Sequence, residues 1–301
     1  MHGILPVWKP KGYTSHDCVF KIRKWLHIKK VGHTGTLDPE VEGVLPICIG
    51  EATKIVPYLT DTDKTYVATM TLGLSTDTED QTGNITSQQE VNEQVSKEEI
   101  LNNLNAFEGI IKQQVPLYSA VKVKGKKLYE YARNGEFVER PIREVHIHNI
   151  RLIDSTYDKV KKTQDVQFEV ACSKGTYIRT LCKDIGGRIG YPAHMSKLIR
   201  TAAGSFNESQ SIKLFDIPNI IENNEIKSIL LPISTGVSYL DVWHVDSQFA
   251  EKVLMGQKFN KTPQVPHSDL FRVQQNDTLL AIYRHHENGE EIKPVRVFNC
   301  N

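Results

Sequence analysis

The order in which strand-like and helix-like stretches follow one another constrains this chain more than any single residue. Residues 3–8 (GILPVW) and 65–73 (TYVATMTLG) have strand character. Residues 144–153 and 164–172 pattern as two more strands, forming a hairpin around the polar stretch 155–163. Between them fall helical signals. Ser15 caps a helix running to about His27, with Val19, Ile22 and Leu26 on one face. Ser96 and Glu99 form a capping box ahead of a helix from Lys97 to Phe107. Lys126 to Arg133 and Tyr177 to Ile189 read as further helices. No regular strand–helix–strand rhythm emerges, so the expected class is α+β. The Gly-, Thr-, Pro- and Asp-rich residues 28–43 read as loop, and 75–95 as an exposed polar excursion.

Near residues 232–244 the character changes. A short helix (Ser247 to Met255) and strand-like runs at 270–274, 278–283 and 294–298 follow. A β-rich piece of about 60 residues is workable mainly against a larger partner. The expected division is therefore a large domain over 1–240 and a small one over 241–301. With 39% apolar and 24% charged residues, disorder over most of the chain is excluded.

The net charge of +1 gives no global footprint for a polyanion. Two local clusters stand out: Lys21, Arg23, Lys24, Lys29 and Lys30, and then Lys122, Lys124, Lys126 and Lys127. Charge alone leaves open whether these are solvated faces or nucleic-acid contacts. The five cysteines include no CxxC pair, which argues against a zinc site and for free thiols in a reducing compartment. There is no charged leader followed by an apolar stretch, and no apolar run of about 18 residues. A cytoplasmic protein that does not enter a membrane is expected.

The densest local string is GHTGTLDPEVEGVLP, residues 32–46. Gly32, Gly35 and Gly43 permit unusual backbone geometry, and Pro39 stiffens the turn after Asp38. It is not a phosphate-binding loop, because GxxxxGK[ST] is absent. On residue types alone Asp38 reads as a turn cap or as a reactive carboxylate. Lys9 likewise reads as a solvated turn lysine, and Tyr66, Tyr177 and Leu198 as ordinary core or strand residues.

Taken whole, this string resembles the catalytic motif of the TruB family of pseudouridine synthases. The resemblance continues in order through WKPKGYTSHD (8–17), KTYVATMTLGLSTDTEDQTG (64–83), VPLYSAVKVKGKKLYEYAR (115–133), CSKGTYIRTLCKDIG (172–186) and AHMSKLIRTAAGSF (193–206). A weaker likeness at VLMGQKF (253–259) and in 277–298 points to the family's small PUA-like RNA-binding domain. Trp8 stands where the family usually has an acid, and Val115-Pro116 where it has two prolines.

The resemblance implies roles. Asp38 is the nucleophile, Tyr66 stacks on the target base, and Arg179 pairs with the Asp38 carboxylate. Tyr177 lies near the base, Leu198 closes the apolar pocket, and Lys9 and His33 build the site and handle RNA. The implied fold is a pseudouridine-synthase core with a largely antiparallel mixed sheet. The implied substrate is the uridine at position 55 in the T loop of tRNA, gripped by an insertion within about 77–132. The implied reaction breaks the N1–C1′ bond, turns the uracil and joins C5 to C1′. A carboxylate suits positive charge developing at an anomeric carbon. A guanidinium keeps it ionised and oriented. The base must leave its stack first, and an aromatic face rewards it. The reaction is an isomerisation, so no cofactor is expected. A monomer working without guide RNA is expected, since the chain carries no lysine-rich tail like the guided archaeal and eukaryotic relatives. A non-catalytic tRNA-folding chaperone is the rival of a different class, and retention of Asp38 and Arg179 argues against it.

Overall fold

Period-two burial organises the strands in the middle of the chain. In a computed structural model describing residues 1–300, the strand Lys64–Leu72 buries Ala68, Met70 and Leu72. Its antiparallel neighbour Thr163–Cys172 buries Gln164, Val166, Phe168, Val170 and Cys172. Side chains two apart share a face, so both strands feed one core. The helices Lys97–Asn105 and Ile178–Ile189 supply Ile100, Leu104, Ile178, Leu181, Cys182 and Ile185 to that core. The strand order is Ala193–Ala203, Lys64–Leu72, Thr163–Cys172, Ile142–Asp158, Gly109–Gln114. The last three strands pair antiparallel. The helix and the strand after it approach closely at Gly186, where an added Cβ would stand 2.2 Å from the Ala193 Cβ. These elements make one of two units, Asp63–Ala202.

The other unit takes Met1–Thr62 and the chain from Ala203 onward. The strand Gly3–Lys9 pairs antiparallel with Glu42–Ile49 and parallel with Ile212–Lys213. Around them pack Ile22 and Val19 on one side and Ile55, Leu59 and Val237 on the other. The C-terminal part is a five-stranded sheet in the order Asp241–His244, Leu270–Gln275, Thr278–His285, Glu291–Val297, Phe259–Asn260, with the helix Ser247–Leu254. Trp243, Phe271 and Tyr283 form its own core, while Leu279, Ile282 and Phe298 join the core of Ile4, Cys48 and Ala52. The architecture is α+β, a largely antiparallel mixed sheet with flanking helices and a small β-domain at the C-terminal end.

Several sequence expectations change in detail. The stretch 28–43, expected as loop, contains the short strand Val31–His33, which pairs with Glu42–Ile49. That partner is buried on both faces, so it reads as an apolar run without alternation. The first helix is capped by Thr14 and not Ser15: Asp17 N donates to Thr14 Oγ1 at 3.0 Å, and Thr14 N donates to Asp17 Oδ2 at 2.8 Å. The excursion at 75–95 holds a hairpin of Leu74–Thr76 with Ile85–Gln88, whose second strand is exposed throughout and so has no apolar pattern. The hairpin around 155–163 has longer arms, because strand Ile142–Asp158 runs on through polar residues. The helix near 126 starts at Leu128, after Lys126–Lys127 have paired with Lys122–Val123.

Cys18, Cys48, Cys172 and Cys182 are buried thiols and Cys300 is exposed. Burial pushes Cys18 and Cys172 up to about 11. No helix among the described residues is long and apolar enough to cross a membrane.

Candidate active site

Asp38 sits on an exposed turn whose backbone is held from behind. Lys9, with no exposed surface, donates from Nζ to the carbonyls of Pro10 at 3.0 Å, Tyr13 and Pro39 at 3.2 Å. Three carbonyl acceptors match the three protons of an ammonium group. The Pro39 carbonyl also accepts from Gly12 N at 2.8 Å, which ties the KPKG turn to the Asp38 loop. Ser15, buried at the start of the first helix, accepts from Leu37 N at 2.9 Å and donates to Leu37 O at 3.3 Å. Leu37 and Val41 bury their side chains on either side of the acid, and Val41 N donates to Asp38 O at 3.0 Å. The loop leaves through Gly43, whose φ of 124° suits only glycine. His33 ends the short strand before the loop and stands opposite Ile47 in the ladder. Lys9 therefore builds this loop from inside it. A buried ammonium spent on carbonyls is not presented to RNA, which narrows the role expected from the sequence.

The second unit holds the other predicted residues. Arg179, in the first turn of helix Ile178–Ile189, donates from Nη1 to Thr78 O and from Nη2 to Tyr118 O, each at 3.2 Å. The Asp80 carboxylate stands 3.7 Å from Nη1. Asp80 is fixed in turn by Thr78 Oγ1 at 2.7 Å and by Thr82 N at 2.9 Å. One guanidinium thus joins the loops around residues 78 and 118, both distant in sequence. Tyr177 occupies the cap position of the same helix, without a side-chain cap bond. Its backbone is gripped by the buried Gln113 amide instead. Tyr177 N donates to Gln113 Oε1 at 2.8 Å, and Gln113 Nε2 donates to Tyr177 O at 3.0 Å.

Tyr66 lies on strand Lys64–Leu72, partly buried against the unit's core, as is Leu198 on Ala193–Ala203. The phenol of Tyr66 is hydrogen-bonded by Arg200, an almost fully buried guanidinium. Burial pulls Arg200 below the ordinary guanidinium value, and the Tyr66 oxygen pushes it back. Within their own units, then, Lys9 meets the Asp38 loop, and Arg179 stands beside Tyr177 on one helix.

Sequence reasoning missed Ser15 as a loop clamp, and it missed Asp80, Gln113 and Arg200. A capping serine and a buried one look alike in sequence. Arg200 stands in a strand that also carries His194, Ser196, Lys197 and Thr201, so nothing in the sequence sets it apart. The basic clusters prove partly structural. Lys21 lies 5.4 to 5.7 Å from the ring centroids of Tyr13, Trp25 and Phe215, and Arg23 Nη2 donates to Val31 O at 2.6 Å. Lys126 pairs with Glu136 at 2.7 Å. Lys24, Lys29, Lys122 and Lys124 remain exposed. Among the described residues no group of His, Cys, Asp and Glu is arranged to hold a metal ion.

Residues 23–178 match the TruB family pseudouridylate synthase N-terminal domain, and residues 179–238 match a tRNA pseudouridylate synthase B C-terminal domain. The chain is 51% identical over 300 residues to tRNA pseudouridine synthase B of Oceanobacillus iheyensis, covering 99% of this chain and 98% of that one. It is also 51% identical over 304 residues to tRNA pseudouridine synthase B of Staphylococcus saprophyticus, with 99% of each chain covered. Among solved structures, the crystal structure of a Cbf5-Nop10-Gar1 complex superposes with a TM-score of 0.76 at 27% identity, over 99% of this chain and 85% of that one. An H/ACA RNP bound to a substrate RNA containing 2'-deoxyuridine gives 0.73 at 25% identity, with 99% and 85% covered. The chain belongs to the TruB family of pseudouridylate synthases.

Proposed function

We propose that this protein is a tRNA pseudouridine synthase B that converts the uridine at position 55 in the T loop of tRNA to pseudouridine, acting in the cytoplasm as a monomer without guide RNA. The observation that carries the reading is an exposed carboxylate, Asp38, on a loop locked from behind by Lys9 and Ser15, in a chain of this family. Asp38 is the nucleophile. The N1–C1′ bond breaks, the freed uracil turns, and C5 bonds to C1′. The C5 proton then leaves and N1 carries one, so no atom is gained or lost and no cofactor is called for. Covalent attack splits one hard step into two.

Tyr66 offers its ring to the flipped base, a contact worth roughly 1–3 kcal/mol. The Arg200 bond to its hydroxyl fixes the ring's direction. Arg179 is the cation that pairs with the Asp38 carboxylate, Tyr177 lies against the base, and Leu198 closes the apolar side. His33 handles the RNA, and Lys9 holds the loop. Residues 77–132 grip the T arm, with Lys122 and Lys124 toward phosphates, and residues 241–301 form a PUA-like domain that holds the acceptor stem. Help in folding tRNA accompanies the same binding.

The two solved neighbours, a Cbf5-Nop10-Gar1 complex and an H/ACA RNP bound to a substrate RNA, stand at 25–27% identity, whereas the two tRNA pseudouridine synthase B relatives stand at 51%. That difference favours the free-standing reading. Incubation of the purified protein with unmodified tRNA and with an isolated T-arm hairpin, followed by carbodiimide-stop mapping, tests it. One new stop at the T-loop uridine in both RNAs is the expected result. No stop in either would move the reading to a guided enzyme or a chaperone.

A further inference from the structure

The reading of Arg179 as a working cation raises the question of what fixes the loop that holds it. Thr78 O and the Asp80 carboxylate both face Arg179. The residue between them, Glu79, turns the other way. The residue is 5% exposed, and its carboxylate accepts from Thr180 Oγ1 at 2.6 Å and from Lys183 Nζ at 3.0 Å and lies 3.8 Å from Arg140 Nη1. Thr180 and Lys183 follow Arg179 on its own helix by one residue and by one turn. The backbone of Glu79 is engaged as well: its carbonyl accepts from Met195 N at 3.0 Å, and its N–H donates to Thr76 O at 3.2 Å.

Glu79 adopts a φ of 63°, in the left-handed region where a residue with a long side chain is strained. A buried carboxylate is also a costly way to fill space, since an apolar side chain in the same volume is often at least as stabilising. Strain and charge burial coincide at the residue that pins this loop to the helix of Arg179. We infer that Glu79 is a positioning residue: it locks the 77–83 loop in register on the helix so that Thr78 O and Asp80 hold Arg179 in its working orientation. This inference rests on the proposed reaction.

Small misplacement of a reacting group costs rate more than affinity. The test is single-turnover pseudouridine formation, alongside tRNA binding, at a temperature where melting curves show every variant folded. Glu79→Gln is expected to lower the rate about 10- to 100-fold while tRNA affinity stays within about two-fold. Thr180→Val, which removes one donor and leaves the carboxylate, is expected to act in the same direction and to add little in the double variant. Wild-type rates in both folded variants would overturn the inference, as would parallel losses of rate and affinity. A wild-type protein that forms no pseudouridine would instead overturn the reaction reading, and the inference with it.

Discussion

The two units hold their charged residues in opposite ways. In the first, the side chain proposed to react is exposed and its loop is fixed from inside: Asp38 lies on an exposed turn while Lys9 and Ser15 bond to the backbone around it. In the second, the charged group is itself a fastener: Arg179 donates to Thr78 O and Tyr118 O, stands beside Asp80, and is mostly buried. A nucleophile must be reachable and must not be consumed by its supports, so the support comes through main chain. A stabilising cation acts through its field and tolerates being built into the scaffold. The difference also sets what mutation does. Removing a support on the Asp38 side takes a donor from backbone carbonyls, whereas altering charge around Arg179 shifts a network with several members.

The largest effect expected from this contrast is at Lys9. Lys9→Met takes the Lys9 donor from the partly buried carbonyls of Pro10 and Tyr13, while the Pro39 carbonyl keeps Gly12 N, and unsatisfied acceptors away from water are expensive. A loss of about 3 kcal/mol in denaturant unfolding is expected. Wild-type stability in that variant would erase the distinction between the two units.

A smaller effect is expected beside Glu79. Burial, reinforced by the Glu79 charge, pushes the Asp184 carboxyl up to about 6, against the opposing effects of Lys183 and Arg140. Its folded value thus lies above its unfolded one. At pH below the unfolded value both states are protonated and there is no penalty. Between about pH 4 and about 6 the unfolded state gives up the proton while the folded state keeps it, so stability falls as pH rises through that window and the penalty is complete above it. Asp184→Asn should therefore be more stable than wild type at pH 7.5, by on the order of 1 kcal/mol after allowance for solvent screening. The gain should vanish near the unfolded carboxylate value, about pH 4. Melting curves across this range check it; a gain that grew toward acid would reverse the assigned sign.

The same contrast explains what was legible in the sequence. The Asp38 loop is one contiguous string whose glycines, proline and acid stand together, so both its irregularity and its family likeness were readable. Tyr66 on its strand, and Tyr177 and Arg179 at a helix start, were placed on the right elements for the same local reason. The partners were not readable, because they come from far apart. Gln113 meets Tyr177 across 64 residues, and Glu79 meets Thr180 across 101. Lys9 read as a solvated turn lysine because nothing local signals that three carbonyls converge on it. The strand Glu42–Ile49 escaped because burial on both faces removes alternation.

The central claim is that Asp38 reacts and its supports only hold it. It is tested most directly by Asp38→Asn, measuring tRNA binding and single-turnover product on the same preparation. The expected result is no pseudouridine, with tRNA affinity within a few-fold of wild type and an unchanged melting temperature. Product formed at an appreciable rate by the folded variant, or affinity lost in step with product, would contradict it.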